Sequence, residues 1–129
     1  MRFTRPRAAA AITAILALAL AATALALKPK PGQYTNGDNK HNITFAVDDG
    51  DIIQFVSSST DCDDGKPAII EKINVKSSGK FHYEGKATGQ LAGDRWHAEV
   101  KGKFVSKKKA KGTFEREDCD EEEFTAKRQ

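Results

Sequence analysis

The 129-residue chain predicts an all-β fold, an antiparallel meander of about eight short strands. Three observations carry that reading. From Gly32 onward apolar residues recur with period two, the repeat of a pleated ribbon with one buried face. Clusters of Gly, Asp, Asn and Ser separate the repeats, and these residues make turns. Nothing after residue 27 sustains the spacing of an amphipathic helix.

The strands follow in order. Tyr34 belongs to a short first one. Ile43, Phe45 and Val47 alternate with Thr44 and Ala46 in the second, and Asp48-Asp49-Gly50-Asp51 turns tightly into a third over 52–57. The fourth covers 68–75, with Ile69, Ile73 and Val75 on one face. Ser77-Ser78-Gly79 then leads into Phe81 and Tyr83 on the fifth. The longest alternation sets Trp96, Ala98, Val100, Gly102 and Phe104 against His97, Glu99, Lys101 and Lys103, one face buried and one wet. Gly112 with Phe114, then Phe124 with Ala126, supply the last two.

A flat meander of this length exposes its edges to aggregation, so it is expected to curl into a small up-and-down barrel or a two-sheet sandwich. The inward positions mix rings (Phe45, Phe81, Tyr83, Trp96, Phe104) with small residues (Gly85, Ala98, Gly102, Gly112). That mixture fills a narrow barrel and leaves little room for a ligand. Ile52, Val56 and Val105 would form an exposed apolar patch if they face outward.

Residues 1–26 read as an export signal and a signal helix. Arg2, Arg5 and Arg7 precede an acid-free apolar run from Ala8 to Leu27 that contains Ala24-Leu25-Ala26, a small-x-small cleavage pattern. Retention of the run as an anchor stays open, since about 20 apolar residues can span a bilayer. Either way the rest of the chain is placed outside the cytoplasm, secreted or extracytoplasmic. Residues 27–37, with Pro29, Pro31 and Gly32, read as a linker, and 38–129 as a single β domain.

Removing the signal changes the charge argument. The chain has 21 Lys+Arg and 18 Asp+Glu, and the signal holds three of the arginines and none of the acids. The remainder is formally neutral, which argues against a nucleic-acid partner, because that needs a net basic footprint. Two cysteines, Cys62 and Cys119, remain in an oxidising compartment and are expected to pair. Such a bridge closes a loop of about 58 residues and constrains the unfolded chain by about 4 kcal/mol. No Cys-x-x-Cys spacing points to redox work.

Gly32-x-Tyr34, Gly102-x-Phe104, Gly112-Thr113-Phe114, the late Cys119 and Phe124-x-Ala126, together with the alanine-rich signal, resemble small exported proteins of high-GC, actinobacterial-type bacteria. The resemblance spans most of the chain after the signal. It implies a fold and a compartment and assigns no functional residue.

Two constellations offer metal chemistry. Asp61, Asp63 and Asp64 flank Cys62, while Asp118 and Asp120 flank Cys119, so a disulfide would force two acidic loops together. Calcium, which takes six to eight oxygens, is one reading. A solvated acidic rim is the other, because Asp61-x-Asp63-x-Gly65 breaks the EF-hand spacing. On the fifth and sixth strands His82, Glu84, His97 and Glu99 share the wet face. A turn over Gly89–Gly93 would set Glu84 opposite His97, His82 opposite Glu99 and Gly85 opposite Trp96. Two imidazoles and two carboxylates can hold zinc or copper; ordinary cross-strand charge pairing is the competing reading.

Lys107-Lys108-Lys109-Ala110-Lys111 sits at a hairpin tip, where lysines either touch anionic lipid or cell-wall polymer or simply keep the turn solvated. His41, between Lys40 and Asn42, reads as a surface histidine. No nucleophile elbow, zinc-protease helix or phosphate loop is present, so neither catalytic residues nor a cofactor are assigned. The expected role is an exported, non-catalytic binding or structural module with a protein, envelope or extracellular partner. A small-ligand carrier and a metal-dependent module are the alternatives.

Overall fold

The computed structural model describes residues 27–60, 62 and 65–129. The signal segment 1–26 and the acidic residues Asp61, Asp63 and Asp64 lie outside them. Eight strands are present: β1 (Gly32–Thr35), β2 (His41–Asp48), β3 (Asp51–Ser59), β4 (Ala68–Ile73), β5 (Lys80–Thr88), β6 (Arg95–Ser106), β7 (Lys109–Arg116) and β8 (Glu122–Arg128). Each pairs antiparallel with its sequence neighbours, and β1 pairs with β8, so the meander closes as an up-and-down barrel. Closure pairs the first and last strands, which would otherwise be free edges, with each other.

Aromatic rings fill the lumen. Tyr34 stacks on Phe45 with centroids 5.1 Å apart, Phe45 lies 6.0 Å from Phe55, and Phe55 lies 5.8 Å from Phe114. Phe104 meets Phe45 at 6.4 Å and Phe81 at 5.8 Å, which carries the contact to the other wall. Offset and edge-on rings at these separations attract each other beyond the area they bury. Outward positions on β5 and β6 carry His82, Glu84, His97, Lys101 and Lys103. On this wall the apolar side faces in and the charged side out, while the outer wall of β2–β4 carries Ala46, Ile53, Val56 and Ile69.

The turn at Asp49-Gly50 is as the sequence predicts, with φ of 51° and 82° joining Asp48 to its partner Asp51, the conformation that a two-residue hairpin needs. Beyond it the alternation breaks. Thr44 pairs with Val56 and Ala46 with Ile53, so Phe45 alone faces Gln54 and Phe55. Gln54 takes the bulge in a left-handed conformation, φ 53°. Ile52 and Phe55, three residues apart, therefore both point inward; Ile52 is buried and contributes to no surface patch. Ile70 and Ile73, their partners on β4, follow the same spacing. Ile70 replaces Ile69 on the inner face, contrary to the Ile69, Ile73, Val75 alternation.

Three further differences concern packing. The segment from Leu27 joins the barrel: Pro29 is buried, Leu27 packs on the core, and the Tyr34 hydroxyl donates to the carbonyls of Lys30 and Lys107 at 2.7 and 2.9 Å. Burial pushes the Tyr34 phenol above its usual 10.0, against the pull of Arg128 and of the Lys30 hydrogen bond. Tyr83 and Trp96 are only half-buried at the core margin. Between β4 and β5 the ladder thins to Ile69 with Thr88 and an isolated Val75–Phe81 bridge, and nearby the Tyr83 hydroxyl donates to the Lys86 carbonyl.

Candidate functional site

The His/Glu face forms in a register different from the expected one. β5 and β6 pair Glu84 with Glu99, His82 with Lys101, His97 with Lys86, Gly85 with Ala98 and Trp96 with Ala87. The shift arises because the loop runs on to Asp94. The Asp94 backbone N–H and carbonyl bond to the Leu91 carbonyl and the Gly89 N–H, and its side chain accepts from the Leu91 N–H and from Lys66. The histidine–carboxylate partners are nonetheless those the sequence suggested, met diagonally. His82 Nε2 lies 2.9 Å from Glu99 Oε2, and His97 Nε2 lies 3.3 Å from Glu84 Oε2. A local two-fold axis between the facing glutamates relates His82 to His97. The His82 hydrogen bond, helped by Lys101, holds the Glu99 carboxyl below its ordinary 4.5 despite some desolvation.

The two cysteines are bonded, with Cα atoms 5.0 Å apart, at the barrel end formed by the β1–β2, β3–β4, β5–β6 and β7–β8 connections. Of the acidic residues flanking them, Asp118 is taken up by Arg116, whose Nε and Nη2 reach both its oxygens. Asp120 is exposed and lines a groove of about 290 Å³ with His41, Cys119 and Glu122. Asp118 is thus forked to a guanidinium, and Asp61, Asp63 and Asp64, the other members of this acidic group, lie outside the described residues.

Two features of this end were missed in the sequence. Arg116 is 1% exposed, lies 4.1 Å above the Trp96 ring and donates from Nη1 to the Lys66 carbonyl. Parity was the available signal, because Phe114 and Arg116 share a face of β7. His41 opens β2 beside Ser59, and its Nδ1 lies 2.7 Å from Glu122 Oε1 and 2.9 Å from Ser59 Oγ. The surface histidine that the sequence suggested is half-buried and hydrogen-bonded to both. A serine relay needs the acid and the hydroxyl on different ring nitrogens; here both meet Nδ1. No local pattern flags this cluster, since its members come from three strands.

The opposite end sets a lysine cluster beside the aspartates of the β2–β3 turn, Asp48, Asp49 and Asp51. The β6–β7 turn brings Lys107 and Lys108 beside the segment preceding β1 and beside the last strand: Lys30 N–H donates to the Lys107 carbonyl, and Arg128 N–H to the Lys108 carbonyl. On the adjoining outer wall Lys80 pairs with Lys103, and Lys103 with Lys111, a row of like charges across three strands. None of the three forms an ion pair among the described residues. A groove of about 560 Å³ runs beside them, lined by Lys103, Lys111, Glu123 and the exposed Val105.

No family model matches this chain, and no curated protein or solved structure does so either.

Proposed function

We propose that this chain is an exported, non-catalytic binding module that docks through its lysine-rich end onto a phosphate-bearing anionic surface of the cell envelope. The separation of charge between the barrel ends carries the reading. Asp94, Glu117, Asp120 and Glu121 outweigh Lys66 and Arg95 at the disulfide end, while Lys28, Lys76, Lys107 and Lys108 outweigh Asp48 and Asp49 of the β2–β3 turn at the other. A formally neutral domain with such a dipole presents one end to polyanions and turns the other away. The Lys80–Lys103–Lys111 row supports it further, because directly opposed like charges cost stability and are relieved by a bound anion. Each lysine near an anionic surface contributes about 1 kcal/mol.

The alanine-rich leader, the disulfide and the likeness to small exported bacterial proteins are consistent with work outside the cytoplasm. A carrier role has less support, since the rings across the lumen occupy the space a ligand needs.

The test is co-sedimentation of the chain lacking residues 1–26 with phosphatidylglycerol vesicles. A second arm measures binding to long-chain inorganic polyphosphate, and both run over a sodium chloride series. Binding to at least one, weakening as salt rises and lost in a combined Lys103→Gln, Lys107→Gln, Lys108→Gln variant, is expected. The two arms separate a lipid from a polymer source. Absence of binding to both at low salt, or equal binding by the variant, overturns the reading.

A further inference from the structure

We propose that the outer face of β5 and β6 is a binding site for a divalent transition-metal ion such as Zn(II), held by His82 Nε2 and the carboxylates of Glu84 and Glu99, with His97 as a fourth donor. The inference is independent of the docking end. Glu84 and Glu99 are directly opposed across the strand pair, an arrangement that costs stability unless something positive stands between them. The two-fold placement of imidazoles supplies nitrogens that point at the carboxylates instead of away from them. One donor atom each from His82, Glu84 and Glu99 lies within 4.8 Å of the others, and His97 Nε2 is 3.3 Å from Glu84.

A tetrahedral ion with bonds of about 2.0–2.2 Å holds its donors about 3.3–3.6 Å apart. The His82–Glu99 and His97–Glu84 separations of 2.9 and 3.3 Å are already near that scale. Side-chain rotation closes the rest, since His82, Glu84 and His97 side chains are 55%, 57% and 59% exposed. The backbone beneath them is a continuous ladder that positions both strands. Donor chemistry selects the metal. Two neutral imidazoles with two carboxylates suit zinc or copper and neutralise a dication, whereas calcium requires oxygens alone. Lys101, 3.4 Å from Glu99 Oε1, gives up that contact when the metal arrives.

Isothermal titration of the chain lacking residues 1–26 with zinc chloride in a non-chelating buffer tests the site. One equivalent binding with micromolar affinity is expected. His82→Ala and Glu99→Gln each weaken it at least tenfold, while His41→Ala, at the disulfide end, leaves it unchanged. These side chains lie outside the core, so the variants' melting temperatures without metal report intact folding. Failure to saturate at one equivalent below millimolar zinc overturns the proposal. Wild-type affinity in both His82→Ala and Glu99→Gln, or loss of binding in His41→Ala, does the same.

Discussion

Gly102 and Gly112 face each other across β6 and β7, and each is covered by a ring from the next strand outward, Phe81 over Gly102 and Phe124 over Gly112. A Cβ on Gly102 would stand 2.4 Å from the Lys111 carbonyl oxygen and 2.6 Å from Phe81 Cζ. The oxygen belongs to backbone and cannot rotate away. Gly102→Ala is therefore expected to cost about 2–3 kcal/mol, at the upper part of the range for overpacked cores. Urea unfolding of the two proteins checks this, and an unchanged midpoint contradicts the packing described.

Gln54 occupies the β2–β3 bulge with φ 53°, a conformation that costs roughly 1–2 kcal/mol for a residue with a Cβ. Gln54→Gly removes that strain and adds chain entropy on unfolding, so its melting temperature should match or slightly exceed the parent's. Gln54→Val, with a branched Cβ in the same conformation, should lose about 1–2 kcal/mol. Equal stability of the two variants would mean that the bulge has moved.

Arg116 is buried and held by Asp118, by the Lys66 carbonyl and by the Trp96 face. Arg116→Ala leaves Asp118 without its partner and the ring uncovered. Removing one member of a buried pair costs about 3–5 kcal/mol, and the partial exposure of Asp118 places this case near 3. Arg116→Lys keeps the charge but loses the fork and the planar stack, and should fall between. Guanidinium unfolding monitored by Trp96 fluorescence reads both.

The alternation of β2, β6, β7 and β8 was legible because period-two burial leaves a mark that survives without neighbours. Ile43, Phe45, Val47 and Phe104 lie inward as the pattern requires. The disulfide was legible from cysteine number, taken with the export reading of the leader. Ile52 and Ile69 misled, since one left-handed residue at Gln54 reverses parity along β3 and nothing in the local sequence marks it. The His/Glu register slipped by two because Asp94 hydrogen-bonds within the loop. His82 and Glu99 still meet, because antiparallel strands bring diagonal side chains within reach as well as opposite ones. The lysine-rich and acid-rich ends required the closed topology, which sets alternate turns at opposite ends of the barrel.

The Cys62–Cys119 bond spans a sequence separation of 57 and joins the β3–β4 and β7–β8 connections. In the chain-entropy model it stabilises the fold by about 4 kcal/mol, a large share for a domain of this size. A Cys62→Ser, Cys119→Ser double variant should lose about that amount in urea unfolding while keeping its β-sheet circular dichroism at low temperature. A loss below about 1 kcal/mol would show that the two connections stay together in the unfolded chain without the bond.

Glu99 gives the domain an acid-side signature. Its folded carboxyl titrates below the ordinary 4.5, chiefly because His82 hydrogen-bonds to the ionised form. A carboxyl depressed in the folded state favours folding fully above its unfolded value, and the benefit disappears as pH falls through the folded one. The His82 contribution is thus expected at neutral pH and lost in the range below 4.5. Carboxyl carbon NMR should find the Glu99 midpoint below 4.5 in the parent and closer to it in His82→Ala. Identical midpoints in the two proteins would mean that the ring does not engage Glu99 in solution.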